Sequence, residues 1–196
     1  MAFDAHEDTS DEALMVLYAN GDRSAAHVLT RRITPRVMAY AYRLLSGDRA
    51  EAEDVAQETM LRLWRIAPQW RQGEAKVATW AYRVATNLCT DRLRTRKRRR
   101  PTALDDAPEV ADEAPSADAR LVEGDRSRAL EAALAALPDR QRQAVVLRHI
   151  EGLSNPEIAS IMDLGVEAVE SLTARGKRLL TALLSGQREA IGYEEG

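Results

Sequence analysis

Apolar positions along this chain recur at steps of three and four residues, and no segment alternates apolar with polar over the length of a strand. The pattern predicts an all-α protein. Residues 11–45 read as two helices. In "DEALMVLYANGD", Leu14, Leu17 and Tyr18 share a face and Gly21 offers a stop. The next stripe, Val28, Leu29, Ile33, Val37, Tyr40, Ala41 and Leu44, runs to Gly47, and Pro35 is expected to kink or divide it. Residues 49–67 form a third helix. It turns Ala52, Val55, Ala56, Met60 and Leu63 inward and carries Glu51, Glu53 and Asp54 in its first turns, where carboxylates complement the helix dipole. After the loop "PQWRQGEAK", a fourth helix is expected over about residues 77–96, with Val77, Trp80, Ala81, Val84, Ala85 and Leu88 as its stripe.

The periodicity fails over residues 101–120, where Pro101, Pro108 and Pro115 punctuate an acidic run almost without large apolar side chains. Such a segment cannot bury enough surface to offset its ordering entropy. The expected organisation is two small helical domains, 1–98 and 124–185, joined by a flexible acidic linker over 99–123 and followed by a short tail at 186–196. The second domain opens with the amphipathic stretch "DRSRALEAALAAL". Pro138 then starts "PDRQRQAVVLRHIEG" at a position where a missing N–H costs little, and Gly152 closes it.

The next twenty residues, "NPEIASIMDLGVEAVESLTA", have the offsets of a helix-turn-helix. Ala159 supplies the small residue where two helices cross, and Ile158, Met162, Leu164, Val169 and Leu172 fall at the apolar positions. Ser154 and Glu157 have capping-box spacing. Asp163 stands where the turn usually places a glycine with positive φ, a conformation Asp tolerates better than most residues. The second helix, over about 166–184, would enter the major groove. It presents Glu167, Glu170, Ser171, Ala174, Arg175, Lys177 and Arg178. Arg175 and Arg178 can donate to guanine edges or phosphates, and Lys177 to phosphates. Glu167 and Glu170 either accept from cytosine N4 or point away. A purely structural helical hairpin shares this geometry.

Charge sharpens the picture. The net charge is only −3, yet Arg92, Arg94, Arg96, Lys97, Arg98, Arg99 and Arg100 form one basic block directly before the acidic linker. On the fourth helix Arg83, Asn87, Thr90 and Arg94 share a face, flanked by Asp91, which suits phosphate and base edges. A solvated helix end is the plainer reading of the arginine run. Trp80 reads either as a base-stacking platform or as a core aromatic, and the exposure of Trp70 is not legible from sequence. Cys89 stands alone among three scattered histidines, so neither an intrachain disulfide nor a zinc-ligand spacing is present. No nucleophile–base pair, phosphate loop or metal cluster marks a catalytic site, and no cofactor is expected. No apolar run reaches the length of a membrane span and the N-terminus lacks a signal-peptide pattern, so a cytoplasmic protein is expected.

Three segments together resemble a bacterial RNA polymerase sigma factor of the extracytoplasmic-function type. "DRAEAEDVAQETMLRLWRIAPQW" resembles the helix that docks on the β′ clamp coiled coil of core polymerase. "ATWAYRVATNLCTDRLRTRKRR" resembles the helix that opens and reads the promoter −10 element. "LPDRQRQAVVLRHIEGLSNPEIASIMDLGVEAVESLTARGKRLL" resembles the −35-reading domain, which also meets the β flap. The resemblance implies that Asp54, Gln57, Glu58, Leu61 and Trp64 bind core polymerase. It implies that Arg83, Asn87, Thr90, Asp91 and Arg94 bind −10 DNA, and that Ser171, Ala174, Arg175, Lys177 and Arg178 bind −35 DNA. Met60 stands where the family usually has Phe, and "GEAKVA" departs from the family's aromatic-containing base-capture loop. An anti-sigma partner is implied as well, with no membrane insertion. The alternatives are a stand-alone helix-turn-helix regulator with an N-terminal sensing or oligomerisation domain, and a helical adaptor for an acidic protein.

The abrupt charge reversal predicts that the acidic linker screens the arginines of the free protein. Neutralising Asp105, Asp106, Glu109, Asp112 and Glu113 together is expected to raise nonspecific DNA affinity at low salt, read by a filter or anisotropy titration. An unchanged affinity would leave the acidity a solubility feature.

Overall fold

The computed structural model describes residue 6 and residues 8–71, 73, 75–99 and 118–190, the stretches 118–126 and 186–190 by their backbone alone. The linker residues 100–117, including the five acids named above, and the last six residues of the tail lie outside the described residues. Among the described residues the chain is helical and has no strand.

Four helices make the N-terminal unit. Helix α1 (Asp11–Ala19) is capped by the Ser10 hydroxyl, which accepts from Ala13 N–H at 3.2 Å. Helix α2 (Arg23–Leu44) is capped by Asp22, whose carboxylate accepts from Ser24 and Ala25 N–H at 2.9 and 3.4 Å. Helix α3 (Arg49–Ile66) is capped by Asp48, accepting from Glu51 N–H at 3.0 Å. Each cap supplies an acceptor that the first helical turn lacks. Pro35 does not divide α2 as expected. Its missing N–H and ring crowding cost about 3 kcal/mol. One buried stripe runs straight through it, however, with Val28, Leu29 and Ile33 before and Val37, Tyr40 and Leu44 after. Burying even two such side chains offsets that cost, at about 1.5–3 kcal/mol each.

Helix α4 (Val77–Arg99) is longer than the sequence pattern suggested, and its inward face is rotated. Val77, Ala81 and Ala85 are buried as expected. Tyr82, Thr86 and Cys89 complete the buried face, while Trp80, Val84 and Leu88 are only half-buried on its flank. The reason is a buried polar pair. The Tyr40 hydroxyl and Thr86 Oγ1 lie 2.8 Å apart, and Thr86 also donates to the Tyr82 carbonyl at 2.7 Å. A threonine with both partners made can sit inside at little cost. Tyr40 and Tyr82 pack edge to face at 5.2 Å. Burial pushes the Cys89 thiol up to about 12, so it stays protonated and inert.

The C-terminal unit comprises α5 (Asp118–Ala135), α6 (Asp139–Val145), α7 (Asn155–Met162) and α8 (Val166–Ala190). Helix α5 begins six residues ahead of the expected start of this unit. Helix α6 continues as one π-helical stretch, Val146–Ile150, before Gly152 closes it at φ 72°. The two units pack together: α4 lies against α7, and α2 against α5 and α6. A single apolar core runs through both.

Gly176 lies inside α8 and is buried where α6 crosses it. A Cβ there would sit 2.6 Å from Val145 Cγ2 and 3.2 Å from both Gln141 Cβ and its carbonyl oxygen. Val145 is stiff at χ1 and cannot swing aside. Gly176→Ala is therefore expected to cost about 1–3 kcal/mol, seen as a lower urea midpoint. Gly165→Ala, with open space around its Cβ, should leave the midpoint in place.

Candidate nucleic-acid interface

Three solvent-facing surfaces carry the residues singled out above. On α3, Asp54 and Gln57 are exposed and Leu61 is 50% exposed, a large apolar side chain left in water beside two polar ones. Glu58 accepts from Arg62 Nε at 2.7 Å, and that bond holds its carboxyl below the usual range. Trp64 is half-buried, its ring centroid 4.7 Å from that of Tyr18. Residues 54, 57, 58, 61 and 64 follow one another at helical spacing, so the five lie along one stripe.

On α4, Arg83, Asn87, Asp91 and Arg94 are exposed. Thr90 is different. Its hydroxyl donates to the Thr86 carbonyl at 2.8 Å and accepts from Gln143 Nε2 at 3.2 Å, so it is engaged by the other unit. The basic block is not uniformly solvated. Arg92 pairs with Glu51, Arg96 with Asp48, and Lys97 with Asp139 at 2.7 Å, while Arg94, Arg98 and Arg99 remain exposed. Arg96 to Arg99 occupy the last turn of α4, where cations complement the dipole, which is why the helix continues past residue 96. Trp70 and Trp80 meet edge to face at 6.5 Å, both half-buried against the core. The indole of Trp80 is therefore a core-flank group.

In the helix-turn-helix, Glu157 accepts from the Ser154 N–H and hydroxyl at 2.9 and 2.6 Å, closing the capping box. Asp163 adopts the left-handed conformation, φ 54° and ψ 55°, and Leu164 N–H returns to the Ala159 carbonyl at 3.0 Å. Ile158, Ala159, Met162 and Val169 are buried. Ser171, Ala174, Arg175, Lys177 and Arg178 are all exposed on α8. Glu170 accepts from Asn155 Nδ2 at 3.2 Å, an intramolecular bond that gives this acid a structural role on α8. No cluster of His, Cys, Asp and Glu suited to a metal ion occurs among the described residues.

Sequence reasoning missed four residues that hold these surfaces in place. Glu12 accepts from Val77 N–H at 3.0 Å and so caps α4 from α1. Gly176 allows α6 and α8 to cross. Arg142 and Gln143, both buried, join the two units. Only Gly176 carried a signal, as a glycine inside a helical pattern.

Residues 29–99 match the family model for Sigma-70 region 2, and residues 127–180 that for Sigma-70, region 4. The ECF RNA polymerase sigma factor SigM of Mycobacterium tuberculosis is 33% identical over 184 residues, covering 94% of this chain and 89% of its own. The chain belongs to the sigma-70 family, among its ECF sigma factors. A second relative, ECF RNA polymerase sigma factor SigE of Mycolicibacterium smegmatis, is 38% identical over 177 residues, 87% of this chain and 66% of that protein. The solved structure of CnrH in complex with the cytosolic domain of CnrY matches with a TM-score of 0.65 at 25% identity, over 90% of this chain and 97% of that one. The sigma factor RpoE of Bartonella quintana, solved with the anti-sigma factor NepR, shares the fold with a TM-score of 0.62 at 22% identity, over 78% and 92% of the two chains. In sigma-region terms, α3 and α4 lie within region 2, and the helix-turn-helix of α7 and α8 falls in region 4.

One contact joins the two regions at the start of α4. Lys76 Nζ donates to Glu157 Oε1 at 2.8 Å. That bond, with those from Ser154, holds the Glu157 carboxyl down at about 2. A carboxyl depressed on folding contributes stability above its ordinary pKa of 4.5 and loses it as pH falls towards 2. A carboxyl NMR titration should place Glu157 near 2, and Lys76→Ala should move it back towards 4.5. A Glu157 titration unmoved by Lys76→Ala would mean that the contact is absent in solution.

Proposed function

We propose that this chain initiates transcription by carrying its polymerase-binding and promoter-reading residues on three separate helices. As an ECF sigma factor it binds core RNA polymerase and promoter DNA. On this reading Asp54, Gln57, Glu58, Leu61 and Trp64 of α3 meet the β′ clamp coiled coil, and the C-terminal unit meets the β flap. Acids and an amide face a basic helix there, with Leu61 as the apolar anchor among them. Arg83, Asn87, Asp91 and Arg94 of α4 contact the −10 element, joined by Thr90 once Gln143 releases it. Ser171, Ala174, Arg175, Lys177 and Arg178 of α8 contact the −35 element. The division into domains at 1–98 and 124–185 goes with this reading, each domain holding one DNA-facing helix. Phosphodiester chemistry is left to the polymerase, so the chain acts as a specificity subunit and not as an enzyme. It acts where the polymerase and chromosome are, in the cytoplasm. No described helix is long and apolar enough to cross a membrane.

The observation that carries the reading is the α3 stripe. A stand-alone DNA-binding regulator has no use for an exposed leucine beside Asp54 and Gln57, whereas a chain that docks on polymerase does. An anti-sigma protein is the remaining partner. The solved complexes of CnrH with CnrY and of RpoE with NepR support one for this chain, given the shared fold.

Asp54→Arg is expected to abolish core-polymerase binding in a pull-down while leaving the helical circular-dichroism signal and −35 DNA binding intact. Loss of all three would indicate misfolding. Arg175→Ala should cost about 1–3 kcal/mol at a cognate −35 site. A uniform loss across unrelated sequences would reduce Arg175 to a phosphate contact.

A further inference from the structure

The exposed stripe of α8 mixes signs. Glu170, Ala174, Lys177 and Arg178 follow one another at i, i+4, i+7 and i+8, and all face water. Lys177 and Arg178 lie about 10–12 Å along the axis from Glu170, at about 1.5 Å per residue. They can rest on phosphates while the first turns of α8 enter the major groove. A carboxylate carried into that groove meets a polyanion, and only a specific contact offsets the repulsion. Glu170 is held on this stripe. Its Oε1 accepts from Asn155 Nδ2 at 3.2 Å. Asn155 is the first residue of α7 and half-buried, directly after the Ser154 cap. Ser154 and Glu157 close that turn on each other, so the amide stands on a rigid base. One oxygen is tied in this way, and the carboxylate keeps acceptor sites on Oε2. A brace made before binding also removes part of the rotamer entropy that a glutamate loses on binding.

The chemistry of base edges selects the partner. A carboxylate only accepts. Guanine shows two acceptors in the major groove, N7 and O6, and thymine shows O4 beside a methyl group. The amino group of adenine lies between two acceptors, its own N7 and the paired thymine O4. The amino group of cytosine has an acceptor on one side only, the paired guanine O6. Cytosine N4–H is therefore the donor that a carboxylate reaches with least repulsion. We infer that Glu170 is a specificity-determining residue that reads a cytosine of the −35 element, with Asn155 as its positioning residue. The inference rests on α8 being the −35 reader.

The experiment uses holoenzyme assembled from the full chain and purified core polymerase. A native promoter fragment that this holoenzyme retains is randomised over its upstream element, and the bound templates are sequenced. The unsubstituted chain should favour cytosine at one −35 position by about tenfold. Glu170→Gln should move that preference to adenine, because an amide matches N6 and N7 together. Glu170→Ala should flatten this position and leave the others as they were. Asn155→Ala should narrow the cytosine preference to about threefold at this position alone, a change that a merely structural role would not confine to one base pair. A base profile unmoved by both Glu170→Gln and Glu170→Ala would overturn the assignment. So would a Glu170→Ala holoenzyme that binds every template more weakly by the same factor, which would leave Glu170 a brace for α7. A profile unmoved by Asn155→Ala would overturn the positioning role. An unsubstituted holoenzyme with no upstream base preference at any position would overturn the reading of α8 itself, and the assignment with it.

Discussion

Helix α4 has to be core and surface at the same time, and that double demand organises the molecule. Its inner face, from Val77 to Cys89, seals the N-terminal unit, and its outer face carries Arg83, Asn87, Asp91 and Arg94. A helix that serves both cannot rotate without either exposing apolar surface or burying charge. The Tyr40–Thr86 hydrogen bond fixes that rotation from inside, and Glu12 fixes the helix start from α1. That outer face is positioned by bonds that lie beneath it and by a residue that lies outside the region 2 match.

The same logic runs through the C-terminal unit. Asp163 turns the chain in the left-handed conformation, Glu157 caps the helix before it, and Gly176 lets α8 lie close on α6. Arg175, Lys177 and Arg178 are then left facing water on a helix whose opposite side is held. Arg142 joins the two units, donating to Leu44 and Ser46 on one side and to Ala135 and Leu137 on the other.

Much of this was legible in the sequence, because it depends on local pattern. The apolar stripes placed α1 to α4, and the spacing of Ser154, Glu157, Ala159 and Asp163 placed the turn. What periodicity could not show were bonds between residues far apart in the chain. The inward rotation of α4 depends on a phenol 46 residues away, and a polar Thr86 reads as surface until Tyr40 is placed beside it. Pro35 reads as a break until the stripe on both sides of it is seen to be one. Thr90 reads as an open contact residue until Gln143 arrives from the other unit. Arg142 gives little local signal, since most of its partners are backbone carbonyls that any residue possesses.

The most direct test of the account is run-off transcription with purified core polymerase and fragments of the native genome. The account predicts discrete transcripts that appear only when this chain is added and that share common sequence elements upstream of their starts. A folded chain that yields no such transcript from any fragment would contradict it.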